Sequence, residues 1–190
     1  MKIQSAKFIK GLIGTDSILD NAIPQIAFIG RSNVGKSTMI NTLTSVNKLA
    51  ITSSFPGRTQ QINLFLINDS LFFLDLPGYG YARASGSDRE KIQELIYWYF
   101  FKSHYIPKFV VLIIDALVGP TKDDLEMLYH LEKENKNIII VANKIDKIKK
   151  SEYQKSINKL KATFPKYNVI PFSGLKKIGV QELIDTILVV

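Results

Sequence analysis

The chain has 190 residues, 46% of them hydrophobic and 22% charged, with no cysteine and a formal net charge of +8. That length suits one domain around one core, the missing cysteine excludes disulfides and thiolate metal sites, and His104 and His130 each stand alone among apolar or aromatic neighbours, which argues against zinc. No segment reaches the ~20 apolar residues of a membrane span, and neither a signal-peptide run after Met1-Lys2-Ile3-Gln4 nor a myristoylation or prenylation signal is present, so a cytoplasmic protein with no membrane partner is expected.

Apolar runs alternate with amphipathic stretches, the pattern of an α/β sheet. Residues 25–29 read as a buried strand entering a glycine loop, and Met39, Ile40 and Leu43 then recur at helical spacing. Residues 63–68 and 71–74 read as an antiparallel pair of strands around the turn-prone Asn68-Asp69-Ser70. Ile92, Leu95, Ile96 and Tyr99 predict a helix, and the continuous apolar run 109–114 predicts a central parallel strand. Leu125 and Leu128 mark a helix, 137–141 a strand, and Ile157, Leu160 and Phe164 a helix. Residues 169–172 are the last strand, and Val180, Leu183, Ile184 and Ile187 the closing helix. The expectation is one domain over 1–190, with residues 1–23 as an extension packed on it. Its sheet is mostly parallel and six-stranded, with one antiparallel edge strand and helices on both faces.

Charge is unevenly placed. The stretch 144–177, bounded by Lys144 and Lys177, holds ten lysines and two acids, Asp146 and Glu152, so the rest of the chain is neutral. A solvated lysine face and a docking surface for a polyanion such as RNA both fit this pattern.

Two motifs carry chemistry. Gly30-Arg31-Ser32-Asn33-Val34-Gly35-Lys36-Ser37 fits G-x-x-x-x-G-K-S after a strand and before a helix, with Thr38 following. There, backbone N–H groups and the helix N-terminus can cradle phosphates, Lys36 can reach the β- and γ-phosphates, and Ser37 can ligate Mg²⁺. Asn143-Lys144-Ile145-Asp146 ends a strand. The Asp146 carboxylate can accept from guanine N1–H and the 2-amino group, a donor pair that adenine lacks. Asn143 can contact N7 and tie back to the phosphate loop, and the Lys144 stem can cover the base. Together the motifs imply one pocket for GTP or GDP.

Three weaker signals sit around them. Asp75-Leu76-Pro77-Gly78 follows a strand, so Asp75 can hold Mg²⁺ through water and the Gly78 N–H can face a γ-phosphate. Thr59, in Pro56-Gly57-Arg58-Thr59-Gln60, can ligate Mg²⁺ and sense the γ-phosphate. Phe172-Ser173-Gly174 leaves the last strand, and its backbone near Gly174 can reach guanine O6.

These residues resemble a translation-factor-type, Ras-like P-loop GTPase, and more narrowly the EngB (YsxC/YihA) family of bacterial ribosome-biogenesis GTPases. The resemblance covers nearly the whole chain, and Pro56 to Gln60 and Asp75-Leu76-Pro77-Gly78-Tyr79-Gly80-Tyr81-Ala82 are its most specific strings. The fourth motif departs from the family's Thr-Lys-x-Asp form at Asn143, which is the general GTPase residue. The resemblance implies a single-domain GTPase with Mg²⁺ as cofactor, acting late in assembly of the large ribosomal subunit and connected to cell division and septation; a monomer is expected. The basic stretch agrees with an rRNA partner.

Many Ras-like GTPases orient water with a Gln after the D-x-x-G glycine; here that residue is Tyr79. Slow intrinsic turnover is therefore expected, with outside help. Asn33 stands where potassium-activated GTPases carry a K⁺ ligand, though it also suits a left-handed backbone. Tyr79, Tyr81 and Arg83 can stack on RNA or simply pack. Two other classes compete: a P-loop ATPase or small-molecule kinase, and an RNA-binding scaffold with a structural nucleotide.

Overall fold

Branched and aromatic runs supply the strands, and helices at 3.6-residue spacing cover them. The computed structural model describes residues 2–50, 61–80 and 86–188. In chain order the elements are β1 (Ala6–Leu12), β2 (Gln25–Gly30), α1 (Lys36–Thr44), β3 (Ile62–Ile67), β4 (Leu71–Asp75), α2 (Gly86–Tyr97), β5 (Phe109–Asp115), α3 (Lys122–Lys133), β6 (Ile138–Asn143), α4 (Lys150–Thr163), β7 (Val169–Pro171) and α5 (Val180–Ile187).

The sheet has seven strands in the order β1-β3-β4-β2-β5-β6-β7, one more than the six expected. The added strand is β1, which pairs antiparallel with β3. Among these strands only β3 runs against the others, because β2, β4, β5, β6 and β7 pair in parallel. The reversed strand thus lies second from the edge. Its hairpin to β4 turns through Asn68 and Asp69 at φ 49° and 51°, and Ser70 N–H closes the turn on the Ile67 carbonyl at 3.1 Å. Two consecutive left-handed residues match the twist of a hairpin, which is why Asn and Asp stand there.

Alternation along the central strands builds one core on each sheet face. Ala27, Ile29, Leu112, Ile114, Ile140 and Ala142 pack with residues of α2, α3 and α4. Ile26, Phe28, Val111, Ile113 and Val141 pack with α1 and α5. Past Tyr97, α2 ends in a single π-turn, Trp98–Lys102, that buries Tyr99 and Phe100. Among the described residues no helix is long and apolar enough to cross a membrane. Chain direction reverses its winding at β2, with β4 on one side and β5 on the other. The crevice beyond the C-terminal ends of such strands is where an α/β sheet holds a ligand.

Candidate nucleotide site

The loop from Gly30 to Lys36 leaves β2 and enters α1 through Gly35, at φ 103°. A side chain at position 35 would meet Asn143 Nδ2 at 2.5 Å, so this turn needs glycine for both its backbone angle and its space. Val34 anchors the loop in the core at 2% exposure. Arg31, Ser32, Lys36 and Ser37 are half-buried, and Asn33 and Thr38 face solvent. Asn33 sits at φ 61°, the left-handed conformation that the sequence allowed for it.

At the head of α1 a charge pair lies beside the end of β4. Asp75 is 2% exposed, and Ser37 Oγ donates to its Oδ2 at 2.9 Å. The other oxygen, Asp75 Oδ1, is buried with no hydrogen-bond partner among the described residues. Burial pushes the Asp75 carboxyl above its ordinary range, and the Lys36 charge and the Ser37 bond partly offset this. Burial likewise lowers the Lys36 amine, against the attraction of Asp75. An orphaned buried carboxylate oxygen costs a few kcal/mol of lost hydration. An oxygen donor set of this kind, with a lysine and a helix N-terminus beside it, fits an anionic ligand carrying a hard divalent cation.

Leu76 and Pro77 are buried, and Gly78 is pressed against the phosphate loop: a Cβ on Gly78 would meet Ser32 N at 2.8 Å. The next residue zips the two segments together. Tyr79 N–H donates to the Gly30 carbonyl at 3.3 Å, and Ser32 N–H donates to the Tyr79 carbonyl at 2.9 Å. Its ring is 7% exposed, and its hydroxyl donates to Asp124 Oδ1 at 2.7 Å. Burial and the Asp124 charge hold this phenol well above its ordinary pKa, so it remains a donor. Tyr79 therefore packs, the simpler of the two roles read from the sequence.

The other end of the site is closed by side chains. Asn143 Nδ2 donates to the Val34 carbonyl at 2.8 Å, tying β6 to the phosphate loop. Lys144, left-handed at φ 64°, donates from Nζ to the Asn33 carbonyl and to Asp115 Oδ2, both at 2.7 Å. Ser173 Oγ donates to Asp146 Oδ1 at 2.6 Å and accepts from Lys176 N–H at 3.0 Å. Phe172 is fully buried, and Gly174 lies beside α1, where a Cβ would meet Thr42 Oγ1 at 3.0 Å.

Residues 30–37, 75–78, 143–146 and 172–174 thus meet at one end of the sheet. Gly57, Arg58 and Thr59, with Tyr81 and Arg83, lie outside the described residues. Sequence reasoning missed Asp115 and Asp124. Asp115 also accepts the Leu117 and Val118 N–H groups on Oδ1, an Asp turn at a strand end that gives a weak local signal.

Residues 25–144 match the family model described as "50S ribosome-binding GTPase", and 102–190 match the "Elongation factor Tu GTP binding domain". The "Probable GTP-binding protein EngB" of Lactobacillus helveticus (strain DPC 4571) is 41% identical over 96% of this chain and 95% of the relative. Its namesake in Clostridium perfringens (strain SM101 / Type A) is 40% identical over 97% of this chain and 95% of that protein. A crystal structure of a probable GTP-binding protein EngB superposes with a TM-score of 0.70 at 27% identity, covering 86% of this chain and 96% of the other. Era, solved with MgGDPNP and nucleotides 1506–1542 of 16S ribosomal RNA, superposes at 0.71 and 29% identity, over 87% of this chain and 55% of Era. With this glycine loop tied through Asn143 to the segment that carries Asp146, and with this similarity to these proteins, the chain is a GTPase and belongs to the EngB family of GTP-binding proteins.

Proposed function

We propose that this GTPase is a nucleotide-controlled switch in assembly of the large ribosomal subunit, docking through its basic stretch. The carrying observation is the placement of charge. Lys147, Lys149, Lys150, Lys155, Lys159, Lys161, Lys166, Lys176 and Lys177 are all exposed, on and around α4 and the loop after β7. This stretch begins at the base-reading motif itself, so a polyanion bound there would lie beside the nucleotide. The matched 50S ribosome-binding family supports the large subunit, and Era's solved complex with 16S rRNA supports an RNA partner without bearing on which subunit. The extension to cell division and septation rests on the family resemblance.

The test is cosedimentation with large subunits in GTP, GDP and nucleotide-free states. Binding that depends on nucleotide and falls steeply with salt supports the switch. Binding that ignores nucleotide supports a scaffold instead.

In the reaction, water attacks the γ-phosphorus, the bond to the β–γ bridging oxygen breaks, and phosphate leaves GDP. Lys36 and the loop N–H groups would neutralise the transferring charge. Ser37 and Asp75, with Thr59 as a further ligand, would hold Mg²⁺, which would supply charge neutralisation for the transferring phosphoryl group. The Tyr79 hydroxyl is committed to Asp124, so it orients no water. That commitment supports slow intrinsic turnover with stimulation from outside. Asn33 is the proposed K⁺ ligand. Equal GTPase rates in K⁺ and Na⁺ would discard that role.

A further inference from the structure

One carboxylate of α3 is divided between two tasks. Its Oδ2 closes the helix cap, accepting from Thr121 N–H and Thr121 Oγ1, both at 2.8 Å. A capping box needs no more than this from the residue at its third position. The second oxygen, Asp124 Oδ1, serves no part of the cap and instead takes the Tyr79 hydroxyl from across 45 residues of sequence. Asp124 is 2% exposed, so each of these bonds is worth more than a surface contact, and losing one leaves a buried charge short of a donor.

The other end of Tyr79 is equally fixed. Its backbone is laddered to Gly30 and Ser32, and Ser32 Oγ also donates to its carbonyl at 3.3 Å. None of these bonds uses the amide of Gly78. That amide lies one residue before Tyr79, whose backbone ladder on the phosphate loop and side-chain tie to α3 both hold it from its C-terminal side. A side chain at position 78 would meet Ser32 N at 2.8 Å, so this approach of the two segments requires glycine.

We infer that the Tyr79–Asp124 contact is a latch that holds the Gly78 amide in place for the γ-phosphate, which makes Tyr79 a positioning residue for GTP rather than for GDP. The two nucleotides differ only at the γ-phosphate. A group that acts through Gly78 therefore changes the affinity of one and spares the other. A group that merely stabilises the fold weakens both together. The latch also makes the N-terminus of α3 a lever, since any partner that displaces Asp124 releases the same amide.

The experiment compares Tyr79→Phe, Asp124→Ala and the double variant for binding of GDP and of the non-hydrolysable imido analogue of GTP, with GTP turnover alongside. Losing one hydrogen bond to a buried carboxylate should weaken the triphosphate about fivefold to tenfold while GDP stays within about twofold. KM for GTP should rise, and the double variant should be no worse than Asp124→Ala alone, because Tyr79→Phe then has no bond left to cut. Equal weakening of GDP and the analogue, unchanged analogue affinity in both single variants, or additive losses would each overturn the latch. Should Tyr79→Phe fail to fold, Thr121→Val keeps both partners of the latch but removes the hydroxyl that anchors the carboxylate and caps α3. It should then lower analogue affinity in the same direction by a smaller factor, and parallel losses for both nucleotides would refute the inference.

Discussion

The two ends of the nucleotide site are built on opposite plans. At the base end every named polar side chain has a protein partner: Asn143 on Val34, Lys144 on Asn33 and Asp115, Asp146 on Ser173. At the phosphate end Asp75 keeps one buried oxygen without a partner among the described residues, and burial pushes both Asp75 and Lys36 towards their neutral forms. The first end is held ready by its own bonds, which lowers the ordering cost of binding a base. The second is under electrostatic tension that a phosphate and a cation would relieve. On the proposed assignment, the bonded end is the one that would tell bases apart, and the unbalanced end is the one that would meet the phosphates.

The sharpest way to break this contrast is at Asp146. Asp146→Asn replaces an acceptor pair with a mixed group, so GTP affinity should fall ~10²- to 10³-fold, the loss of two charge-assisted hydrogen bonds. Xanthosine triphosphate, which carries the complementary carbonyl, should bind better than GTP. An unchanged GTP affinity by calorimetry would mean that the pocket does not read guanine. Next is Asn143→Ala, which orphans the buried Val34 carbonyl. It should cost about 1–3 kcal/mol of stability in a denaturant titration of the nucleotide-free protein.

A smaller effect should follow Asp115→Asn. Lys144 would keep the Asn33 carbonyl but lose its ionic partner. GDP and GTP should weaken alike, about tenfold, as one charge-assisted bond predicts. Fluorescent nucleotide titration would read it, and a loss for GTP alone would contradict the assignment to the base end. Smallest is Asn33, whose φ of 61° costs an alanine about 1 kcal/mol and a glycine nothing. Asn33→Gly should therefore match the parent in thermal stability while Asn33→Ala falls below it. Running both in K⁺ and Na⁺ separates backbone strain from any role of the side chain in turnover.

Most of the architecture was legible because the central strands are buried on both faces and read as apolar runs, 109–114 most plainly. The strand β1 was not. It lies at the sheet edge, it exposes Lys7, Phe8 and Lys10, and its register shifts between Phe8 and Lys10, which breaks the two-residue period. The motif residues of the site were legible because phosphate and guanine chemistry restricts both their type and spacing. Asp115 and Asp124 were not, because their partners come from sheet register and helix placement. Asp115 reaches Lys144 only because β5 lies beside β6 with Asp115 opposite Asn143. Tyr79 was visible as the residue in the water-orienting position, but its bond to α3 spans 45 residues that no local pattern connects.

The irregular outer strand has a consequence for how this molecule behaves in a crowded solution. An open row of amides and carbonyls invites a neighbouring copy to add its own strand, the first step towards fibrils. Here that margin carries a bulge and two lysines, with Lys7 bound to Asp69 and Lys10 to Asp16. A second copy approaching there would have to bury ammonium groups and straighten a kink. The same distortion that hid the strand from a pattern search keeps the border of the sheet from becoming a template.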